Sequence, residues 1–96
     1  MAFYVGIKKI RELNDKEAVY EVESYDNLFL IKINIAHKTI EIMNGSNNPS
    51  YIIDFNDPEK EINIEWLSGK TINALIIKSK KVIDAKTFFD DISLCS

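Results

Sequence analysis

The run EAVYEVESYDNLFLIKINIAHKTIEIM, Glu17 to Met43, decides the fold. Its apolar residues are mostly β-branched or aromatic and alternate with polar ones, the period of a strand whose two faces meet different surroundings. Two breaks interrupt the pattern, Asp26-Asn27 and Ala36-His37, and both suit two-residue hairpin turns. With Asp26-Asn27 as the turn, Tyr25 opposes Leu28, Val22 faces Ile31, Tyr20 faces Ile33, and Glu21 lies opposite Lys32. With Ala36-His37 as the next, Ile33 faces Ile40, Ile31 faces Ile42, and Lys32 lies opposite Glu41. Toward the N terminus, closing Phe3–Glu12 onto Glu17–Ser24 through Leu13-Asn14-Asp15-Lys16 pairs Ile7 with Val22 and Lys8 with Glu21. The three registers agree. One face collects Phe3, Val5, Ile7, Tyr20, Val22, Phe29, Ile31, Ile33, Ile35, Ile40 and Ile42, and the other a charged row, Lys8–Glu21–Lys32–Glu41. A slip of one residue would mix the two faces. Strands at Phe3–Glu12, Glu17–Ser24, Asn27–Ile35 and Lys38–Met43 therefore form an antiparallel meander with one buried face and one solvated face.

Beyond Met43 a polar loop, Asn44 to Ser50, leads to Tyr51–Phe55, which alternates as a fifth strand. Asp57-Pro58-Glu59 can open a helix, with Asp57 as cap and Pro58 in the first position. The alternation of Ile62, Ile64 and Trp66 favours instead a turn and a sixth short strand. Ile72, Leu75, Ile76, Ser79, Val82 and Ile83 then recur at three and four, predicting an amphipathic helix over Lys70–Lys86 that covers the apolar sheet face. Its lysines, Lys78, Lys80, Lys81 and Lys86, sit in the half where cations suit the helix dipole. Thr87-Phe88-Phe89-Asp90 has the spacing of a capping-box variant and predicts a last short helix carrying Phe88, Phe89 and Ile92. The expected fold class is α+β, a single domain over residues 1–96.

The chemistry available is narrow. The chain has 96 residues, 46% hydrophobic and 28% charged, enough for one globular core. No apolar stretch reaches the roughly 20 residues that span a membrane. At the start the charges of Lys8 and Lys9 follow the apolar residues, the reverse of a secretory signal, so a soluble cytoplasmic protein is expected. Ile, Lys and Asn fill 36 positions, the bias of AT-rich codons and of a low-GC bacterial genome. One histidine, His37, and one cysteine, Cys95, cannot build a four-ligand zinc site or an internal disulfide, and every Ser-His-Asp or Cys-His scheme would rest on His37, read here as a turn residue. Ser68-Gly69-Lys70-Thr71 ends like a phosphate-binding loop, but the glycine required five residues before Gly69 is Ile64, so Ser68 or Thr71 reads as a helix cap. Asn44-Gly45-Ser46 reads as a turn. Asp54, at the end of Tyr51-Ile52-Ile53, reads as a turn acceptor rather than an acid catalyst. No enzyme, cofactor or metal is expected.

Charge supplies the one candidate site. Fifteen acids oppose twelve bases, and Arg11 is the sole arginine, which disfavours a nucleic-acid ligand. Between Asp54 and Glu65 stand Asp54, Asp57, Glu59, Glu61 and Glu65 against Lys60 alone, a net of −4. This segment reads as a docking surface for a basic protein, with Trp66 or Tyr51 as a buried anchor, and Asp90 and Asp91 extend it if the chain end folds back. The opening Phe3-Tyr4-Val5-Gly6-Ile7-Lys8-Lys9-Ile10 and the later Ile52-Ile53-Asp54-Phe55 with Asn56-Asp57-Pro58 resemble the small cytoplasmic immunity proteins of bacterial contact-dependent growth inhibition and related polymorphic toxin systems. The size and the strands-then-helix order agree across most of the chain. The resemblance implies a non-enzyme that binds one cognate toxin, often a nuclease, and covers its active or substrate-binding surface. No toxin-contact residue is carried over from it. The alternatives are a small-molecule or structural module with a pocket lined by Tyr20, Phe29 and Tyr51, or a weak homodimer formed through exposed edge strands.

Overall fold

A computed structural model describes residues 3–25, 27–43 and 50–95. Six antiparallel strands form one sheet: β1 (Tyr4–Glu12), β2 (Glu17–Ser24), β3 (Asn27–Asn34), β4 (Thr39–Met43), β5 (Tyr51–Asp54) and β6 (Leu94–Cys95), with α1 (Gly69–Ala85) between β5 and β6. The spatial order is β5-β4-β3-β2-β1-β6, so the meander runs outward to β5 and the chain end returns to the far edge. The α+β class, the meander and the covering helix match the sequence reading.

Ten of the eleven inward residues read from the alternation are buried, and Phe3 is half-buried at the rim. The β1–β2 pairing of Ile7 with Val22 and Lys8 with Glu21, and the β3–β4 pairing of Lys32 with Glu41, match the expected registers. The β2–β3 register differs by two residues. Ser24 pairs with Asn27, Val22 with Phe29, Tyr20 with Ile31, and Glu21 with Leu30. The connection therefore begins at Tyr25, which takes φ 47°, and Asn27 already belongs to β3. A shift of two preserves strand parity, so the core face survives and only the outer pairs change. Lys32 stands between Glu17 at 3.6 Å and Glu41 at 3.5 Å rather than beside Glu21, and the expected four-residue charged row is broken there. Exposed Leu28 and Leu30 occupy the outer face opposite Glu23 and Glu21.

Two further expectations fail. Residues 61–64 are irregular and pair with no strand among the described residues; Ile64 and Leu67 enter the core instead. Phe88 and Phe89 are not helical, because carbonyls in this stretch are engaged by the sheet: Lys9 Nζ donates to Phe88 O, Tyr20 Oη to Phe89 O, and the Lys9 amide to Asp90 O. The Ile92 amide donates to Ile7 O and the Ile7 amide to Ser93 Oγ, and the sixth strand is Leu94–Cys95 against Tyr4 and Val5. The chain end thus seals the β1 edge.

Helix α1 lays Thr71, Ala74, Leu75, Ser79, Val82 and Ile83 on the sheet. Ser68 is the N-cap, its Oγ accepting from the Thr71 amide at 3.2 Å, and Lys86 ends the helix in the left-handed region, where the Thr87 amide reaches Val82 O. The cap is tied to the sheet by a short hydroxyl chain, Ser68 Oγ to Thr71 Oγ1 at 3.0 Å and Thr71 Oγ1 to buried Ser24 Oγ at 3.1 Å. Thr71→Val keeps the shape but strips both serines of this partner, and is expected to cost about 1–3 kcal/mol. Denaturant titration checks this, and adding Ser24→Ala should recover part of the loss, because no buried hydroxyl is then left alone at β2.

Two carboxylates are held below their usual range by local bonds. The Asn14 side-chain amide, and then Lys32, do so for Glu17; the Ser93 hydroxyl and amide do so for Asp91. Both folded values lie below the unfolded ones, so their contribution is present above about pH 4 and lost as pH falls through the folded values. Urea midpoints are therefore expected to be level from pH 7 to 5 and to drop below about pH 4.

Candidate functional site

Between β5 and α1 the chain makes a single irregular excursion, residues 55–68, held at three places. At its start Asp54 Oδ1 accepts from the Asn56 amide at 2.8 Å and from Asn56 Nδ2, which also donates to His37 O. This fastens the excursion to the β3–β4 turn and explains why Asn-Asp-Pro follows the strand. In the middle the Tyr51 hydroxyl donates to Glu61 O at 3.2 Å and accepts from the Asn63 amide at 3.4 Å. At its end Ile64 and Leu67 enter the core and Trp66 meets Phe29 edge-on, ring centroids 5.0 Å apart at 87°.

Asp57, Glu59, Glu61 and Glu65 all point into solvent along this excursion, and Asp54 is half-buried. Among the described residues none of the five carboxylates joins an ion pair, so the net −4 acts outward. The excursion also arches over a cleft of about 240 Å³, floored by Ile52, Ile53, Phe55, Pro58, Ile62 and Ile76. Asp54, Asp57, Lys60 and Lys80 stand at its rim. Of the residues singled out from the sequence, the structure brings Asp54, Asp57 and Tyr51 to this cleft. Glu59, Glu61 and Glu65 lie on the same excursion without lining it. Trp66 is half-buried against Phe29 and serves the core, and Tyr51 spends its hydroxyl on holding the loop.

Other expectations separate in space. The chain end does fold back, but onto β1, so Asp90 and Asp91 lie at the sheet edge opposite the acidic excursion. Lys9 Nζ reaches Asp90 at 3.1 Å, which, more than any other neighbour, raises the Lys9 pKa. His37 sits in the β3–β4 turn, whereas the Cys95 backbone pairs with Tyr4 at the other end and beyond the other side of the sheet, more than about 15 Å away at ordinary strand spacing. Tyr20, Phe29 and Tyr51 do not share a pocket: Tyr20 is fully buried with its hydroxyl on Phe89 O, and Phe29 packs on Trp66. Among the described residues no group of three His, Cys, Asp or Glu is placed to hold a metal ion, and no helix is long and apolar enough to cross a membrane. The Asn44-Gly45-Ser46 turn lies outside the described residues.

Sequence reasoning missed the cleft floor. Its helical side, Ile76 with Lys80 one turn on, carries the right signal, since Ile76 belongs to the apolar stripe yet sits at its margin. What periodicity could not supply is that residues 57–62 stand off from the helix. No protein-family model, no curated protein and no solved structure matches the chain.

Proposed function

We propose that this chain is a non-catalytic, protein-binding immunity protein that neutralises a cognate toxin by covering its active or substrate-binding surface. The observation that carries the reading is the excursion after β5, which bears five carboxylates without an ion pair among the described residues and borders an apolar cleft. Apolar floors with charged surroundings bind proteins by desolvating a few anchors and steering the rest, and an excursion of net −4 suits a basic partner, as a nuclease toxin would be. The single His37 and Cys95, kept apart by the sheet, support a binding role over nucleophilic catalysis. The resemblance of Phe3–Ile10 and Ile52–Pro58 to immunity proteins supplies the toxin class; the first stretch lies mostly in β1, and the second runs from β5 into the turn after it.

The test is capture of the tagged full chain from its own cells while the toxin is expressed, with mass spectrometry of the stoichiometric component. One basic toxin domain, whose activity falls on adding the purified chain, is the expected result. A stoichiometric acidic protein or metabolic enzyme overturns the electrostatic mechanism.

A further inference from the structure

Strand β5 is the outermost strand on its side of the sheet, and its backbone pattern shows which groups it leaves open. The Phe55 amide donates to Lys38 O at 2.9 Å, so Phe55, and by alternation Ile53 and Tyr51, turn their backbone groups to β4. Ile52 and Asp54 turn theirs outward. The Asp54 carbonyl is taken by the Asp57 amide, whereas the Ile52 amide and carbonyl have no partner among the described residues. On the opposite side the long strand β1 is covered, because residues 90–95 pair along it and leave only the two-residue β6 outermost. Just inside the open edge lies the apolar cleft, beside Ile53 and Phe55, and Ile52, which also lines it, is half exposed, at 51%.

We infer that the β5 edge takes an extended segment of the partner as a seventh strand, with apolar side chains entering the cleft beside Ile53 and Phe55 and basic ones facing Asp54. This rests on the protein-binding reading above and gives it a mode: main-chain bonds to Ile52 supply the attachment, and alternate side chains supply the choice of partner. Charge selects the occupant. A second copy would bring its own −4 segment against this one, whereas a strand with Lys or Arg at alternate positions meets Asp54, Asp57 and Glu59 with opposite sign. Lys60 and Lys80, both exposed, also line the cleft, which limits the basic positions to the outward side.

The probe is a short capped peptide alternating lysine and valine, titrated into the isotope-labelled full chain. Its counterpart alternating glutamate and valine is the control. The expected result is shift change and exchange protection at the Ile52 and Asp54 amides with the basic peptide only. Ile52→Pro removes the outward amide at a position where an edge strand tolerates proline, and should weaken binding about tenfold. Ile52→Thr should change it by no more than about twofold. Retained protection of the Ile53 amide certifies that the proline variant is folded, and Asp54→Lys, which keeps the amide but reverses the charge, should weaken binding if it is not. Equal binding of both peptides, unchanged binding by Ile52→Pro and Asp54→Lys, or protection at Leu28 and Leu30 on the outer face overturns the inference. A captured toxin held equally by wild type and Ile52→Pro removes the strand mode and keeps the immunity reading. Peptide binding with a non-toxin partner does the reverse.

Discussion

Tyr20→Ala is expected to lower the unfolding free energy by about 4 kcal/mol, a large share of the roughly 5–15 kcal/mol that holds a domain of this size. Tyr20 heads the fully buried side chains by size and lies in β2 between Lys9 and Ile31, so its removal opens a cavity in the middle of the sheet's packed face. Its hydroxyl donates to Phe89 O at 2.7 Å and so also fastens the returning chain end. Tyr20→Phe isolates that bond and should cost about 1 kcal/mol. Burial, and then the nearby Asp90 and Glu12 charges, push the phenol pKa up. Because the folded value exceeds the unfolded one, stability is full below about pH 10 and falls as pH rises beyond it, when only the unfolded chain ionises readily. Wild type should therefore weaken between pH 10 and 11 more than Tyr20→Phe does. Lys9, also raised, leaves a smaller alkaline loss in both. Denaturant midpoints from pH 7 to 11 read the difference.

Leu75→Ala is expected to cost about 3 kcal/mol by the same titration. Leu75 is fully buried midway along α1, the one helix among the described residues, and that helix is what keeps Ile31, Ile33 and Ile40 from water. Ile64 and Leu67 from the excursion add only the margin of this cover. Ile77, two residues on and 54% exposed, provides the contrast, and Ile77→Ala should stay within about 0.5 kcal/mol. Comparable losses for the two would mean that α1 does not pack by the stripe described.

The core face was legible because parity is robust. Even with Tyr25 rather than Asn27 in the β2–β3 turn, the two-residue shift left Tyr20, Val22, Phe29 and Ile31 inward. Turn propensity favoured Asp-Asn, and a tyrosine at φ 47° carries no such signal. Ile62, Ile64 and Trp66 alternate like a strand, yet the 61–63 backbone meets the β5 edge through the Tyr51 hydroxyl rather than through a ladder, and the core takes Ile64 and Leu67. Residues 87–95 show the limit from the other side. Their local spacing suits a helix cap, and it is overridden by bonds to Lys9, Tyr20 and Ile7, contacts some seventy to ninety positions away that no window along the chain contains. At the candidate site the acidity was legible because exposed carboxylates are local facts. The roles of Trp66 and Tyr51 were not, since Phe29 and the 61–63 backbone claim them.

The excursion after β5 is the surface on which the functional reading depends. The most direct measurement is the affinity of the captured partner for wild type and for the triple variant Glu59→Lys, Glu61→Lys, Glu65→Lys, at low salt and at several hundred millimolar. All three residues are exposed and make no ion pair among the described residues, so the variant leaves the fold intact. The predicted result is a loss of about tenfold or more at low salt that shrinks markedly at high salt, as screening shortens the reach of the charges. Equal affinity for both proteins at both salts would contradict it and take the acidic excursion out of the interface.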